Sequence, residues 1–402
     1  MKILCAFGRY AYGDSARGDG YEYVNFLPAL RSLGHEVALF DSFDRAAFPD
    51  FAELNRGFLN AVQRERPDLI FCVLMGYELW TETLALAKNA SGACLINWAT
   101  DDSWKYEEFS RFVAPAFDIY ATTYASALAK AARDGLANFT LTQWAAPASL
   151  QQQPRPANEC RYPVSFIGAA YGNRRQWVAG LRERGITVAC FGHGWESGVV
   201  ATSEVSRIIN DSAVSLNFSD AGPQLQGGRR VRSRQIKARV FEVPAAGGCL
   251  LTESAEGLEE YFVPGEEIET FASIDELAAK IRHLLDDPDL RNRIARRGHE
   301  RTCREHTYEI RLKKLLERVP LAVGGAHEMD WPAFEKLAEA HRTGMLLRIL
   351  KKLLVWIGML IWGRRRGPRA ARRLLFELSW RLAGRRTYTA GGWPGRLFYR
   401  ES

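Results

Sequence analysis

The sequence has little from which to build a disulfide framework or a metal centre. Its seven cysteines (Cys5, Cys72, Cys94, Cys160, Cys190, Cys249, Cys303) are odd in number and scattered, with no CxxC pair. Several fall inside apolar runs, the pattern of buried, reduced thiols in a cytosolic protein. The seven histidines have no ligand spacing, so no structural metal is expected. Long apolar runs are missing as well. The uncharged stretch 353–362 holds ten residues, about half of the roughly 20 that a spanning helix needs. The opening Met-Lys-Ile-Leu-Cys-Ala-Phe before Gly8 is strand-length, too short for the apolar core of a signal peptide, and secretion is not expected. No internal repeat of solenoid length occurs.

What remains is an ordinary apolar content of 47% and a charged content of 25%, enough for two domains and an appendage in 402 residues. The net charge of +7 is a sum of two unlike parts. Residues 345–402 hold 14 Arg/Lys and 2 Asp/Glu, whereas the rest holds 40 against 45. The body is mildly acidic and the tail strongly basic, so the basic isoelectric point belongs to the tail.

Short apolar runs at 3–7, 36–40, 69–74, 94–98, 119–122 and 139–141 alternate with helix-length amphipathic stretches near 21–33, 51–64, 79–88 and 125–133. Such alternation predicts a parallel sheet with helices on both faces. Residues 147–163 are polar and proline-rich and read as a linker. A second round follows, with strands at 164–167, 187–191, 214–218 and 249–252 between helices. The expected class is therefore α/β. The expected division is a domain over 1–150, a linker over 151–163, a second domain over 164–318, a connecting helix over 319–344 and a basic tail over 345–402. Two such domains facing each other make an interdomain cleft at the carboxyl ends of their strands.

The most informative segment is Lys237-Ala-Arg-Val-Phe-Glu-Val-Pro-Ala-Ala-Gly-Gly-Cys-Leu-Leu-Thr-Glu253. It predicts a short helix with Glu242 near its start, a stop at Gly247-Gly248, and a buried strand. A carboxylate beside helix-start amides, Lys237 and Arg239 suits a ligand with both hydroxyls and phosphates, such as a nucleotide-sugar. The plain alternative is a surface helix whose Glu242 only favours the dipole. The loop Ser165-Phe-Ile-Gly-Ala-Ala-Tyr-Gly-Asn-Arg-Arg175 follows a strand; Gly168 and Gly172 let backbone approach a phosphate, with Tyr171 between them and Arg174 at the helix start. Arg175 is the alternative cation at that helix start. The loop lacks the GxGxxG spacing, and a tight turn explains it equally well. Residues 220–235, with Gly222, Gly227, Gly228, Arg229, Arg230, Arg232 and Arg234, read as a mobile, anion-seeking loop or a solvated surface. Asn97-Trp-Ala-Thr-Asp-Asp102 ends a strand; Asp101 and Asp102 are candidates to position or deprotonate an acceptor hydroxyl, against simple helix capping. Arg9, Tyr10 and His193 also follow strands and are candidate cleft contacts.

The order Gly257-Leu-Glu-Glu-Tyr-Phe-Val-Pro-Gly-Glu-Glu-Ile268, Ile274-Asp-Glu-Leu277, Arg291, Gly298 and His306-Thr-Tyr308 with Arg311, continuing from the segment above, resembles the CgeB-type (spore-maturation-protein-like) glycosyltransferases. That group is similar to the GT-B enzymes, glycosyl transferases group 1, with two Rossmann-like domains. The resemblance covers about 160–318 well, touches 1–150 mainly through 97–102, and does not reach the tail. It implies a nucleotide diphosphate-sugar as donor substrate rather than a cofactor, and no metal. It implies that Glu242 meets the ribose hydroxyls, that Lys237 and Arg239 sit at family positions, and that the 165–175 loop faces the donor. GT-B relatives often carry a second glutamate eight positions earlier; here that position is Arg234. His306-Thr-Tyr308 recurs in the family, but on the closing helical segment it reads as packing and hydrogen bonding rather than catalysis.

In the tail, residues 345–362 and 370–382 are basic and rich in large apolar residues. They read as amphipathic helices lying on an anionic membrane surface, where each nearby cation contributes about 1 kcal/mol. Self-association or a hairpin packed on the domains comes next, and nucleic acid last. The expectation is a metal-independent glycosyltransferase in the cytoplasm, peripheral on the inner membrane face, acting on a glycan, lipid-linked or protein acceptor in surface polysaccharide synthesis. A silent nucleotide-sugar-binding protein and an epimerase-like enzyme are the alternatives.

Overall fold

The computed structural model describes residues 1–226, 229–319, 327–364 and 366–399. The chain divides into two compact units, Met1–Thr142 with Leu315–Ser402, and Gln143–Lys314.

The first unit is built on six parallel strands: β1 (Lys2–Phe7), β2 (Glu36–Asp41), β3 (Leu69–Cys72), β4 (Cys94–Ala99), β5 (Ile119–Thr122) and β6 (Phe139–Leu141). Every residue of β3, β4 and β5 is buried. Helices cover both faces of the sheet, which is why these strands are uninterrupted apolar runs rather than alternating ones. The strand order is β2-β1-β3-β4-β5-β6. The chain leaves β1 for one side, then returns to build β3 on the other. That reversal opens a crevice at the carboxyl ends of β1 and β3.

The second unit has β7 (Tyr162–Ile167), β8 (Ala189–Phe191), β9 (Ser212–Asn217), β10 (Asp220–Gln226), β11 (Arg229–Arg234), β12 (Leu250–Glu253) and β13 (Glu269–Phe271). Five of them form a parallel sheet of order β13-β12-β9-β7-β8, and the reversal here falls between β7 and β9. Strands β10 and β11 pair antiparallel as a separate hairpin, so the expected mobile loop 220–235 is largely regular. Gly227 and Gly228 lie outside the described residues, as do the side chains of Arg229 and Arg230. The buried Arg291 ties the unit together. Its guanidinium donates to the carbonyls of Ala213 (2.6 Å), Ser212 (2.8 Å) and Arg155 (2.6 Å).

The division differs from the expected one at both ends of the second unit. Residues 143–163 are packed on that unit rather than strung between two. Gln152 N–H donates to Ala245 O at 3.0 Å, and Arg155 is held by Arg291. The chain after Leu315 returns to the first unit. Helix Trp331–His341 buries Phe334 against Trp80, ring centroids 6.3 Å apart, and Arg56 Nη2 donates to Glu335 Oε2 at 3.1 Å.

The tail is therefore not a detached appendage. Helices Met345–Trp362 and Gly367–Ala383 form a hairpin whose backbones meet at Gly358 and Gly367. A Cβ on Gly358 would lie 2.6 Å from Gly367 O. Beyond them Tyr388, Leu397, Phe398 and Tyr399 are buried. Tyr399 Oη donates to Phe48 O at 2.9 Å, Tyr388 Oη to Glu108 O, and Tyr77 Oη to Thr389 O. Burying these aromatics offsets the ordering of the chain end. Phe398→Ala is expected to cost about 3–5 kcal/mol, and removal of residues 384–402 to unfold the first unit. Thermal melts followed by circular dichroism check this; an unchanged transition in both variants would mean the chain end is dispensable.

Candidate functional site

The crevice of the second unit gathers charged groups from several elements. After β7, residues 168–173 turn into helix Arg174–Glu183. The turn is clamped from the next strand: Gly168 N–H donates to Phe191 O and Ala170 N–H to His193 O, both at 2.8 Å, and Trp195 Nε1 donates to Gly168 O at 2.8 Å. Gly168 has to lack a side chain, since a Cβ would press on the Phe166 ring at 2.9 Å. Gly172 sits at φ +64°, which only glycine adopts without strain. The turn presents Tyr171, and Tyr171 links two cations. Its phenol oxygen accepts from Arg174 Nη2 and from Lys237 Nζ, each at 3.3 Å. The Arg174 guanidinium also lies 4.1 Å above the Tyr171 ring, a favourable cation–π geometry.

Arg174 is buried and donates to Ala169 O at 2.9 Å. Burial pushes its guanidinium below the usual arginine range, but such a group stays charged in a protein. Lys237 Nζ donates to Asp220 O at 2.7 Å. Asp220, just beyond β9, pairs with Arg232 at 3.3 Å, and Arg234 reaches Glu253 at the end of β12 at 3.1 Å. Glu253 is fully covered and also accepts from Ser219 N–H at 2.9 Å. Arg239 pairs with Glu242 at 2.9 Å. Five cations thus stand among three carboxylates, an excess of two positive charges at the carboxyl ends of three strands. Such a site favours an anion that also offers hydroxyls.

Six of the expected donor-side residues, Gly168, Tyr171, Arg174, Lys237, Arg239 and Glu242, belong to this crevice. Others do not. Gly247 and Gly248 lie past the end of helix Arg239–Ala245 and serve close packing into β12: a Cβ on Gly247 would meet Asn210 Nδ2 at 2.7 Å, and one on Gly248 would meet Ile209 Cγ2 at 2.6 Å. The helix-start amides are also less available than expected, because the N–H groups of Val240, Phe241 and Glu242 already bond to the carbonyls of Lys237 and Ala238. His193 is exposed and contributes its carbonyl to the turn. Asp220 and Glu253 were not singled out from the sequence. Their only signal was an acidic residue at a strand's carboxyl end.

The helix that carries Glu242 is held from behind. His306 packs its ring 5.3 Å from Phe241 and 5.1 Å from Phe262, and one ring nitrogen meets Tyr261 O at 2.8 Å. His299 Nδ1 approaches the carbonyls of Pro244 and Ala245, both at 3.1 Å. Burial, with the Arg311 charge adding to it, lowers the His306 pKa to about 4.

The crevice of the first unit is a cavity of about 190 Å³ lined by Gly8, Tyr10, Tyr21, Glu22, Phe43 and Met75, among others. Tyr10 is there as expected, and Arg9 lies beside it, its guanidinium 5.2 Å from the Tyr10 ring. Glu22, in the first turn of helix Tyr21–Ser32, is the carboxylate that sequence reasoning missed; in that position it looks like a residue placed for the helix dipole. Burial raises its pKa above the usual glutamate range, and the charge of Asp101 adds to this. Asp102 is not available for the expected role. It is 1% exposed, accepts a hydrogen bond from Ser110 Oγ, and burial raises its pKa. Asp101 is half-buried, and its carbonyl caps the short helix through the N–H groups of Trp104 and Lys105. Among the described residues no group of His, Cys, Asp or Glu is placed to hold a metal ion.

Comparison with known proteins adds a partial family match and a fold. A glycosyl transferase-like family model matches residues 174–317. No curated protein matches the sequence. Among solved structures, the chain is similar to sucrose-phosphate synthase from Thermosynechococcus elongatus, at TM-score 0.55 and 11% identity over 79% of this chain and 99% of that one. It is similar to HepE from Anabaena in complex with UDP-glucose, at 0.52 and 14% over 79% and 98%. It is also similar to a glycosyltransferase from Rickettsia africae, at 0.52 and 9% over 79% and 97%. The family match is confined to the second unit, and the likeness to these solved structures gives the fold: a GT-B architecture with two Rossmann-like domains.

The His306 environment makes stability pH-dependent in a defined direction. The neutral imidazole is favoured in the folded state, so its contribution is complete above about pH 6.5 and is lost as pH falls toward about 4. The loss is expected to reach about 3 kcal/mol. Urea unfolding of wild type and His306→Gln between pH 7 and 4 measures it, and parallel pH profiles would remove His306 as the cause.

Proposed function

We propose that the chain moves a sugar from a nucleotide diphosphate-sugar to a glycan carried on a lipid or a protein, in surface polysaccharide or glycoconjugate synthesis. The observation that supports this most is the crevice beside β7 and β9, where Tyr171 joins Arg174 to Lys237 and Arg239 pairs with Glu242. A diphosphate leaving group develops negative charge as its bond to the sugar breaks. Cations held by these contacts stabilise that charge with little reorganisation. Glu242 is suited to accept hydrogen bonds from ribose hydroxyls while Arg239 holds its carboxylate in place. In this reading arginine and lysine supply the neutralisation that a metal ion supplies elsewhere. HepE was solved with UDP-glucose, which makes uridine diphosphate-sugars the first donors to test. The run from Gly257 to Arg311 supports the finer placement beside the CgeB-type enzymes.

The first unit is the acceptor side. Its cavity has aromatic walls that suit sugar rings, and Glu22 takes the proton from the acceptor hydroxyl as that oxygen bonds to the anomeric carbon. A glutamate with a raised pKa is a better base near neutrality than an ordinary one.

Nucleotide diphosphate release from a panel of nucleotide-sugars, with and without membrane extract, tests the reading. Release is expected to depend on extract and to persist in EDTA. Lys237→Ala and Arg174→Ala are each expected to weaken donor binding by about 1.5–3 kcal/mol, and Glu242→Ala to abolish it. Glu22→Gln is expected to lower kcat by about 10²–10⁴ with donor affinity kept. In wild type the acid limb of kcat/KM is expected above the ordinary glutamate range, because ionised Glu22 is the active form. Full donor affinity in both Lys237→Ala and Glu242→Ala would sink the donor assignment. Binding without release under every condition would make the chain a silent module.

A further inference from the structure

Helix Met345–Trp362 has two apolar faces. One side, with Leu347, Leu354 and Val355, packs on Ala371, Leu375, Leu397 and Phe398. The other leaves Leu346, Ile349, Leu353, Trp356, Leu360 and Ile361 exposed, at the three- and four-residue spacing that puts them in one stripe. Leu346 is 83% exposed and Leu360 66%. The second helix adds Leu374, Leu378 and Leu382. Most of the large apolar side chains exposed among the described residues are on this one hairpin. A soluble surface rarely carries such a patch without a partner for it.

The charges around the patch identify that partner. Residues 345–383 contain ten Arg/Lys and a single acidic residue, Glu377. That one carboxylate is already engaged by Arg381 at 3.0 Å. Arg348, Lys352, Arg366, Arg369 and Arg373 are exposed beside the apolar stripe. A second copy docked face to face would set ten cations against ten with almost nothing to neutralise them. A nucleic acid would satisfy the cations and leave the leucine, isoleucine and tryptophan stripe in water. An anionic lipid surface satisfies both, since headgroups take the cations and the acyl boundary takes the stripe. Trp356 and Trp362, each about half exposed, are side chains that favour the boundary between lipid and water. No helix among the described residues is long and apolar enough to cross a membrane.

We propose that the hairpin 345–383 is a docking face for an anionic bilayer, lying flat in the headgroup layer with the stripe of its first helix turned to the lipid. The close meeting of Gly358 and Gly367 holds the two helices as one plate, and the buried chain end beyond residue 384 anchors that plate to the first unit. The inference does not depend on the donor assignment, because lipid binding needs neither donor nor turnover.

Co-sedimentation of the full chain with vesicles tests it. Wild type is expected to pellet with phosphatidylcholine vesicles containing about a third phosphatidylserine, and at least about tenfold more weakly with phosphatidylcholine alone. Tryptophan emission is expected to shift to the blue on binding. Leu353→Asp/Leu360→Asp changes only exposed positions, so its melting transition should match wild type while vesicle binding is lost. Arg369→Gln/Arg373→Gln should weaken binding about thirtyfold and reduce its preference for anionic lipid. Equal pelleting of wild type and Leu353→Asp/Leu360→Asp overturns the proposal. So does a lipid-free dimer, seen by light scattering, that the same double substitution converts to monomer. Duplex DNA binding that competes with vesicles and survives the double substitution would also overturn it, in favour of nucleic acid.

Discussion

Both candidate sites depend on one topological constraint. In each sheet the strand order reverses next to the unit's first strand, at β1 in one and at β7 in the other. Connections after neighbouring strands then run to opposite faces and leave a gap at the carboxyl ends. Everything of chemical interest lies in these gaps. The Tyr171 turn follows β7, Asp220 follows β9 and Glu253 ends β12, while the Glu22 cavity opens after β1 and β3. A different strand order built from the same strands would scatter these residues over the molecule.

Much of the crevice of the second unit is tied to buried structure. The turn 168–173 is clamped by three hydrogen bonds to the segment around Gly192 and Trp195. The Glu242 helix is backed by Phe241, Phe262 and His306. Arg291 donates to two carbonyls at the foot of β9, Ser212 O and Ala213 O, and ties Arg155 O to them. Preorganisation of this kind matters more than the number of charges, because a cation that must reorient gives back much of what it contributes. The same logic explains why Arg174, although buried, is not wasted: Tyr171 and Ala169 hold its guanidinium at the crevice.

How much of this was legible in the sequence varied with the range of the interaction. The alternation of apolar runs and amphipathic stretches located both sheets, and the 237–253 segment and the 165–175 loop meet at the crevice of the second unit. Helix Arg239–Ala245 and the turn at Gly172 are local features, set by neighbours a few residues away. Gly247 and Gly248 show a longer range. Their lack of side chains answers to Asn210, Ile209 and Gln152, contacts that a linear motif cannot show. Asp102 looked like a partner of Asp101, but one residue's step along a short helix turns it inward to Ser110. Glu22 carries no signal of its own in the sequence; the fold places it in a cavity with Asp101 nearby.

The tail divides the same way. Its composition alone determined that two basic, apolar helices would form and that neither would span a bilayer, because charge spacing and helical period are properties of the chain itself. Only the tertiary structure decided that the chain end returns to the first unit and buries Tyr388, Phe398 and Tyr399 there. It also decided which face of helix Met345–Trp362 stays bare. The physical reason is common to every such case: local periodicity dictates which residues share a face, whereas the partner of that face is chosen by long-range packing, to which residues hundreds of positions away contribute.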